Sequence, residues 1–169
     1  MENWEILTAD GRPSGRSIIR GKDILRQGEY HLVVHIWITD GYGNYLIQRR
    51  SLNKKLMPGE WAAIGGSAVM YEKSKTAAQR ELFEEMGIKA HPDRLQFVKR
   101  MTRKSSIIDI YALKTRVRAS SLKLQKDEVS EAKWVTRRRL EQMVTNGEFH
   151  NYGNEYFKIV YQLAADLHD

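Results

Sequence analysis

The 169-residue chain contains no cysteine. Disulfides, thiolate metal sites, iron–sulfur clusters and a cysteine nucleophile are therefore excluded, and a reducing, cytoplasmic setting is expected. Proline occurs only three times, and no proline- or serine-rich linker, repeat or low-complexity tract divides the chain. At about 100–200 residues per domain, this length predicts one domain. Residues 1–28 read as an N-terminal strap or hairpin belonging to it, and residues 29–169 as its main body. No apolar run approaches the roughly 20 residues that span a bilayer, so no membrane partner is expected. The N-terminus also lacks the basic and apolar segments of a secretory signal. Acidic residues are outnumbered, 21 against 28 Lys and Arg, for a formal net charge of +7. That balance favours anionic ligands such as phosphates and nucleotides.

What is present reads as alternating strands and helices. Residues 31–38, HLVVHIWI, are rich in β-branched and aromatic side chains and predict a strand. A turn at 40–44 and a second strand at 45–50 should complete a hairpin. Turn signals are also present at Asp10-Gly11 and Ser14-Gly15. Residues 62–71 read as short β segments broken by Gly65-Gly66. Residues 73–86 are the clearest helix, with Ser74 as N-cap and Gly87 as the stop. Further strands are expected within 95–117 and at 131–135, and helices at 136–147 and 154–169. The sum is an α+β chain: an α/β/α sandwich around a mixed sheet.

The chemistry concentrates on the 73–86 helix. Glu84 and Glu85 lie three and four residues after Glu81, so the three carboxylates share an arc of about 100°. Ala78, Leu82 and Met86 form the neighbouring apolar stripe, which should face the core. Like charges at this spacing repel by a few tenths of a kcal/mol per exposed pair, which a hard divalent cation would reverse. The Gly-Gly loop just upstream could offer a bare backbone carbonyl to the same ion. Three glutamates alone would equally suit a solvated acidic face.

The wider pattern decides between these. Residues 66–88 match G-x5-E-x7-R-E-U-x-E-E-x-G-U, with U aliphatic, at every specified position. With seven residue types fixed at about one in twenty each, chance agreement is on the order of one in a billion per start point. This run is the Nudix box, and the chain resembles the Nudix superfamily. The resemblance implies an α/β/α sandwich with the box as loop–helix–loop. It also implies hydrolysis of a nucleoside diphosphate linked to another moiety. By motif position, Glu81, Glu84, Glu85 and the carbonyl of Gly65 would be ligands of Mg2+ (or Mn2+). Glu72 and Arg80 would support them, Arg80 by holding Glu81 through a charge-assisted hydrogen bond. Which carboxylate accepts the proton of the attacking water stays open. Bound cations would neutralise the diphosphate and lower the pKa of water.

Four cations lie between positions 49 and 55, shortly before the Gly-Gly loop. Strand alternation puts Arg49 and Arg50 on opposite faces. Arg50 and Lys54 are expected to clamp a terminal phosphate, Arg as a fork and Lys as a point charge. A solvated basic turn would have the same spacing. Nucleic-acid binding is disfavoured, because the basic residues are scattered and no recognition motif accompanies them. His31 and His35 share a strand face with Val33 and Trp37 and read as half-buried histidines of a polar face. Arg137 to Arg139 read as a solvated helix face, and Trp134, Tyr152 and Tyr156 as core.

The runs QRRSLNKKLMPGEW, YHLVVHIWI and ILTADGRPSG resemble a subgroup that includes type I isopentenyl diphosphate isomerases and isomerase-like Nudix hydrolases. In the isomerases an Arg and a Lys of this loop contact the diphosphate, matching Arg50 and Lys54. The isomerase cysteine falls at Gly65, however, and a metal histidine at Ser67; only His31 matches one of the metal histidines. One catalytic glutamate falls at or near Asp109, its companion at Ile107. The expected function is therefore metal-dependent hydrolysis of a diphosphate linkage in a small phosphorylated substrate. An isomerase and a non-catalytic nucleotide- or RNA-binding module are the alternatives. The N-terminal strap could also pack on a partner subunit in a homodimer.

Overall fold

The computed structural model describes residues 1–166. Its spine is strand β3 (His31–Thr39), whose side chains are buried on both faces of a sheet. This explains a nearly continuous apolar run where a one-sided strand would alternate. The elements in chain order are β1 (Asn3–Leu7), β2 (Pro13–Ile19), β3, β4 (Asn44–Arg50), β5 (Trp61–Ala62), β6 (Ile64–Ser67), α1 (Ser74–Met86), β7 (Gln96–Thr102), β8 (Ser106–Lys114), β9 (Val129–Thr136), α2 (Arg137–Thr145) and α3 (Asn154–Asp166). The expected continuation of the last helix to 169 lies outside the described residues.

The sheet is mixed. β3 runs parallel to β8, and β7 is antiparallel to β8 at the edge. β3 and β4 form the expected hairpin, but pair only at Ile38–Leu46 and Thr39–Tyr45. Beyond the turn they diverge. β4 goes on with β5 and β9, while β3 pairs with β6 from Val33 to Ile36. Residues 61–67 therefore bridge the two diverging strands. Arg50, at the far end of β4, and His31 and His35, on the first half of β3, face the same opening.

Two hydrophobic layers flank the sheet. Val34, Ile36 and Leu46 pack against Leu82 and Met86 of α1. Trp37, Tyr45 and Ile110 pack against Leu140, Tyr156 and Val160 of α2 and α3. Fully burying a large apolar side chain contributes about 1.5–3 kcal/mol, so these layers fix how α1 meets the sheet. β1 and β2 form an antiparallel N-terminal hairpin. It is tied to the body by Leu7 and Tyr30, which exchange backbone hydrogen bonds, and by the Met70 amide, which donates to the Asn3 carbonyl. Ser14-Gly15 lies within β2 and makes no turn. Among the described residues no helix is long and apolar enough to cross a membrane.

Three local expectations need correction. Ser74 does not cap α1; Lys73 holds the cap position without a side-chain bond. The Ser74 hydroxyl instead donates to Asp109 at 2.5 Å and bonds Tyr111 at 2.8 Å, pinning the helix start to β8. Gly65-Gly66 do not break a strand but lie inside β6, where Gly65 holds φ +145°. The face carrying His35 and Trp37 is no polar face, since both side chains are buried in the α3 layer. Gly87 does end the helix, at φ 71° in the left-handed region.

Candidate active site

Helix α1 presents its glutamates to one cavity of about 650 Å3, within the range of small-ligand sites. They are not equally exposed, as an open acidic arc would be. Glu84 stands half in solvent, whereas Glu85 is only 4% accessible. Met86 and Leu82 pull that side of the helix onto the sheet and carry Glu85 inside with them. Its carboxylate accepts hydrogen bonds from the Gln48 side chain at 3.0 Å and the Gly65 amide at 3.1 Å. It has no ion-pair partner among the described residues. Burial, reinforced by the charge of Glu81, pushes Glu85 up to about 8 against the stabilising Gly65 amide. Burial also raises Glu81, although the Arg80 charge opposes it.

Arg80 sits where the sequence predicted and does more than hold Glu81. Its guanidinium donates to both oxygens of Glu72 at 2.8 and 2.9 Å, to Glu81 at 2.8 Å and to Glu84 at 3.1 Å. It also donates to the Ser67 carbonyl at 3.1 Å. Helix, preceding loop and β6 are thus fastened by one side chain. Burial works to raise Glu72, but hydrogen bonds from Arg80 and the Val69 amide win and hold it below the usual carboxylate range.

The two glycines of β6 are required for different reasons. A Cβ on Gly65 would lie 1.9 Å from the Val34 carbonyl oxygen, a backbone collision. A Cβ on Gly66 would meet the Glu81 carboxylate at 2.6 Å. The bare backbone of Gly66 is therefore the cradle against which Glu81 rests.

On the basic side, Arg50 and Lys54 both line the cavity, and Arg49 turns away from it as alternation required. Neither cation is idle. Arg50 donates through Nε to the Leu56 carbonyl at 3.0 Å, and Lys54 is paired with Glu128. Glu128 was not legible in the sequence; it arrives from the segment before β9. The third wall is aromatic. Tyr152 lies against His35 and His150, with ring centroids 4.9 and 4.8 Å apart. The N-terminal hairpin adds Trp4, stacked on His31 at 4.1 Å, with Arg20 above it. No local pattern signals these contacts. Asp109, by contrast, is outside the cavity, buried beneath a two-point ion pair with Arg100 at 2.7 and 2.8 Å.

The glutamates and the Gly65 carbonyl could hold a divalent cation. Hard oxygen donors suit magnesium or manganese, and a buried carboxylate without a counter-charge is a place for a cation. Among the described residues no three acidic or histidine side chains converge on one point, because Arg80 draws Glu81 and Glu84 to itself. Binding would ask those two carboxylates to turn from the guanidinium.

The Nudix domain family model matches residues 29–153. An uncharacterized Nudix hydrolase of Listeria monocytogenes is 36% identical over 153 residues, 90% of either chain. The isopentenyl-diphosphate Delta-isomerase of Escherichia coli is 28% identical over 142 residues, 79% of this chain and 76% of its own. A Deinococcus radiodurans protein of known crystal structure superposes with a TM-score of 0.77 at 22% identity, over 99% of this chain and all of the other. At that identity the likeness shows the fold, an α+β sandwich, and nothing further.

Proposed function

The chain belongs to the Nudix hydrolase family, and from that premise we propose that it hydrolyses the diphosphate linkage of a small nucleoside di- or triphosphate with Mg2+ or Mn2+. The family is one of hydrolases of nucleoside diphosphate derivatives, and this chain is an enzyme of that class. The observation that carries the finer reading is the cavity's division of charge. Glu81, Glu84 and Glu85 line one side, and Arg50 and Lys54 another.

In this reading Arg50 and Lys54 bind and orient the phosphates that leave or remain. Arg80 and Glu72 keep the glutamates in place, and the Gly65 amide orients Glu85. A divalent cation, when bound, neutralises diphosphate charge and acidifies water. One of the three glutamates accepts the proton of the attacking water.

The isomerase alternative loses support at Gly65. The position where that chemistry would need a cysteine cannot carry a Cβ, because the Val34 carbonyl occupies the space. The test is a panel of nucleotides, nucleotide sugars and prenyl diphosphates with magnesium or manganese, read by phosphorus NMR in 18O-labelled water. Isotope should enter one phosphate of at least one nucleotide. Proton exchange into a prenyl diphosphate without hydrolysis would overturn the reading.

A further inference from the structure

Behind the charged part of the cavity lies a buried chain of three side chains that the hydrolytic reading leaves without a role. The Trp37 indole Nε1 donates to the Tyr156 hydroxyl at 2.8 Å, and that hydroxyl lies 2.6 Å from Nδ1 of His35. Trp37 and Tyr156 are fully buried, and His35, 8% accessible, lines the cavity.

The direction of each bond follows from elementary donor counting. An indole nitrogen can only donate, so Tyr156 accepts from it. The Tyr156 hydroxyl must then place its own proton, and a buried donor left without an acceptor costs about 1–3 kcal/mol. His35 Nδ1 is the acceptor within reach. Nδ1 is therefore unprotonated, and the single ring proton sits on Nε2. Nε2 has no hydrogen-bond partner among the described residues, yet it is not among the buried unpartnered atoms. It opens into the cavity. Burial and the positive charges of Arg103 and Arg50 keep the ring neutral.

The surroundings of that N–H differ from the phosphate end. Tyr152 lies tilted beside His35, and Val33, Ala63 and Ile108 complete an apolar wall. Two fixed rings, His35 and Tyr152, with one neutral donor suit a planar, uncharged, acceptor-bearing group. The anionic groups of a substrate already have Arg50 and Lys54.

We propose that His35 is a specificity-determining residue, whose Nε2–H donates to a carbonyl oxygen or unprotonated ring nitrogen on the base of a nucleoside diphosphate. Tyr156 and Trp37 are positioning residues that fix its tautomer. This rests on the hydrolase reading and adds the part of the substrate that the Nudix box does not address.

The experiment compares nucleoside diphosphates with ribose 5-diphosphate, which carries the same linkage and no base. His35→Phe should raise KM for the nucleoside diphosphates about five- to tenfold, the worth of one neutral hydrogen bond. kcat, and both constants for ribose 5-diphosphate, should move less than about twofold. His35→Gln, which restores an N–H donor, should recover most of the loss. An equal rise of KM for both substrates would mean that His35 reads phosphate and would overturn the proposal, as would no change for either. A second readout needs neither variant nor turnover. In wild-type protein with chelator, 15N NMR should give His35 a pyridine-type Nδ1 and a pyrrole-type Nε2. Adding a nucleoside diphosphate should shift the Nε2 signal, and ribose 5-diphosphate should leave it in place. Nδ1 carrying the proton, or the same response to both ligands, would also overturn it. A base-dependent shift without hydrolysis of any diphosphate would fail the hydrolase reading alone.

Discussion

The Gly65 amide donates to the buried carboxylate of Glu85 at 3.1 Å. This bond joins β6, which is paired with β3, to the last turn of α1. It places a carboxylate with no ion-pair partner among the described residues at the back of the cavity. If that carboxylate is a cation ligand, activity should vanish with chelator and return with magnesium or manganese. Glu85→Gln keeps the shape and removes the charge; kcat/KM should fall by roughly two orders of magnitude or more. Glu84→Gln should act in the same direction without loss of fold, since Glu84 is half exposed. Full activity in both variants would remove the metal-site assignment.

The same burial predicts a pH dependence of stability in the metal-free protein. Glu85 is raised from 4.5 to about 8 on folding. Its contribution is present below about 4.5 and is lost as pH climbs through 8. His35 is lowered from 6.5 to about 3 by burial, so its contribution is present above 6.5 and is lost as pH falls towards 3. With chelator, the melting temperature should therefore be highest between about pH 4.5 and 6.5, where the two slopes cancel, and decline on both sides. Glu85→Gln should flatten the alkaline limb and move the optimum to pH 6.5 and above. An unchanged alkaline limb in that variant would contradict the burial of a charged Glu85.

Adjacent glycines should fail differently. Gly65→Ala drives a Cβ into the Val34 backbone carbonyl at φ +145°, and a collision with backbone cannot relax cheaply. We expect a loss of about 3 kcal/mol or more, seen as a melting temperature lower by several degrees. Gly66→Ala meets only the end of the flexible Glu81 side chain. It should melt within a few degrees of wild type and yet lose most activity, because Glu81 is displaced.

Arg80 makes five hydrogen bonds with a planar fork, a geometry that the Lys ammonium cannot reproduce. Arg80→Lys should keep the charge and still lower kcat about 10- to 100-fold, with metal affinity measured by calorimetry falling in parallel. Wild-type metal affinity in this variant would mean that the fork does not organise the glutamates.

Arg50→Ala should raise KM about tenfold for substrates with a terminal phosphate and much less for those without one, from the loss of one charge-assisted hydrogen bond. Glu128→Gln should release Lys54 and lower KM for the same substrates. Equal effects of Arg50→Ala on both substrate types would show that the basic loop does not read the phosphate.

Helix α1, its glycine stop and the order of its glutamates were determined by sequence alone, because they depend on contacts three or four residues apart. So was the opposite facing of Arg49 and Arg50, which needs only strand alternation. What spacing could not decide was burial. Glu81, Glu84 and Glu85 look equivalent on a helical wheel. They differ because Leu82 and Met86 dock against β3, and Gln48 and Gly65 meet only one of the three. Ser74 looked like a cap because serine caps helices locally, but Asp109, 35 residues away on β8, outbids the local backbone for its hydroxyl. His35 looked like a half-buried histidine of a polar strand face until α3 laid Tyr156 across it, 121 residues later. Glu128, Tyr152 and Trp4 reach the cavity from separate parts of the chain with no periodic signal. The sequence by itself determined which chemistry the chain carries; the divergence of β3 from β4, and the packing of α1 and α3 on either side, decided which atoms face the substrate.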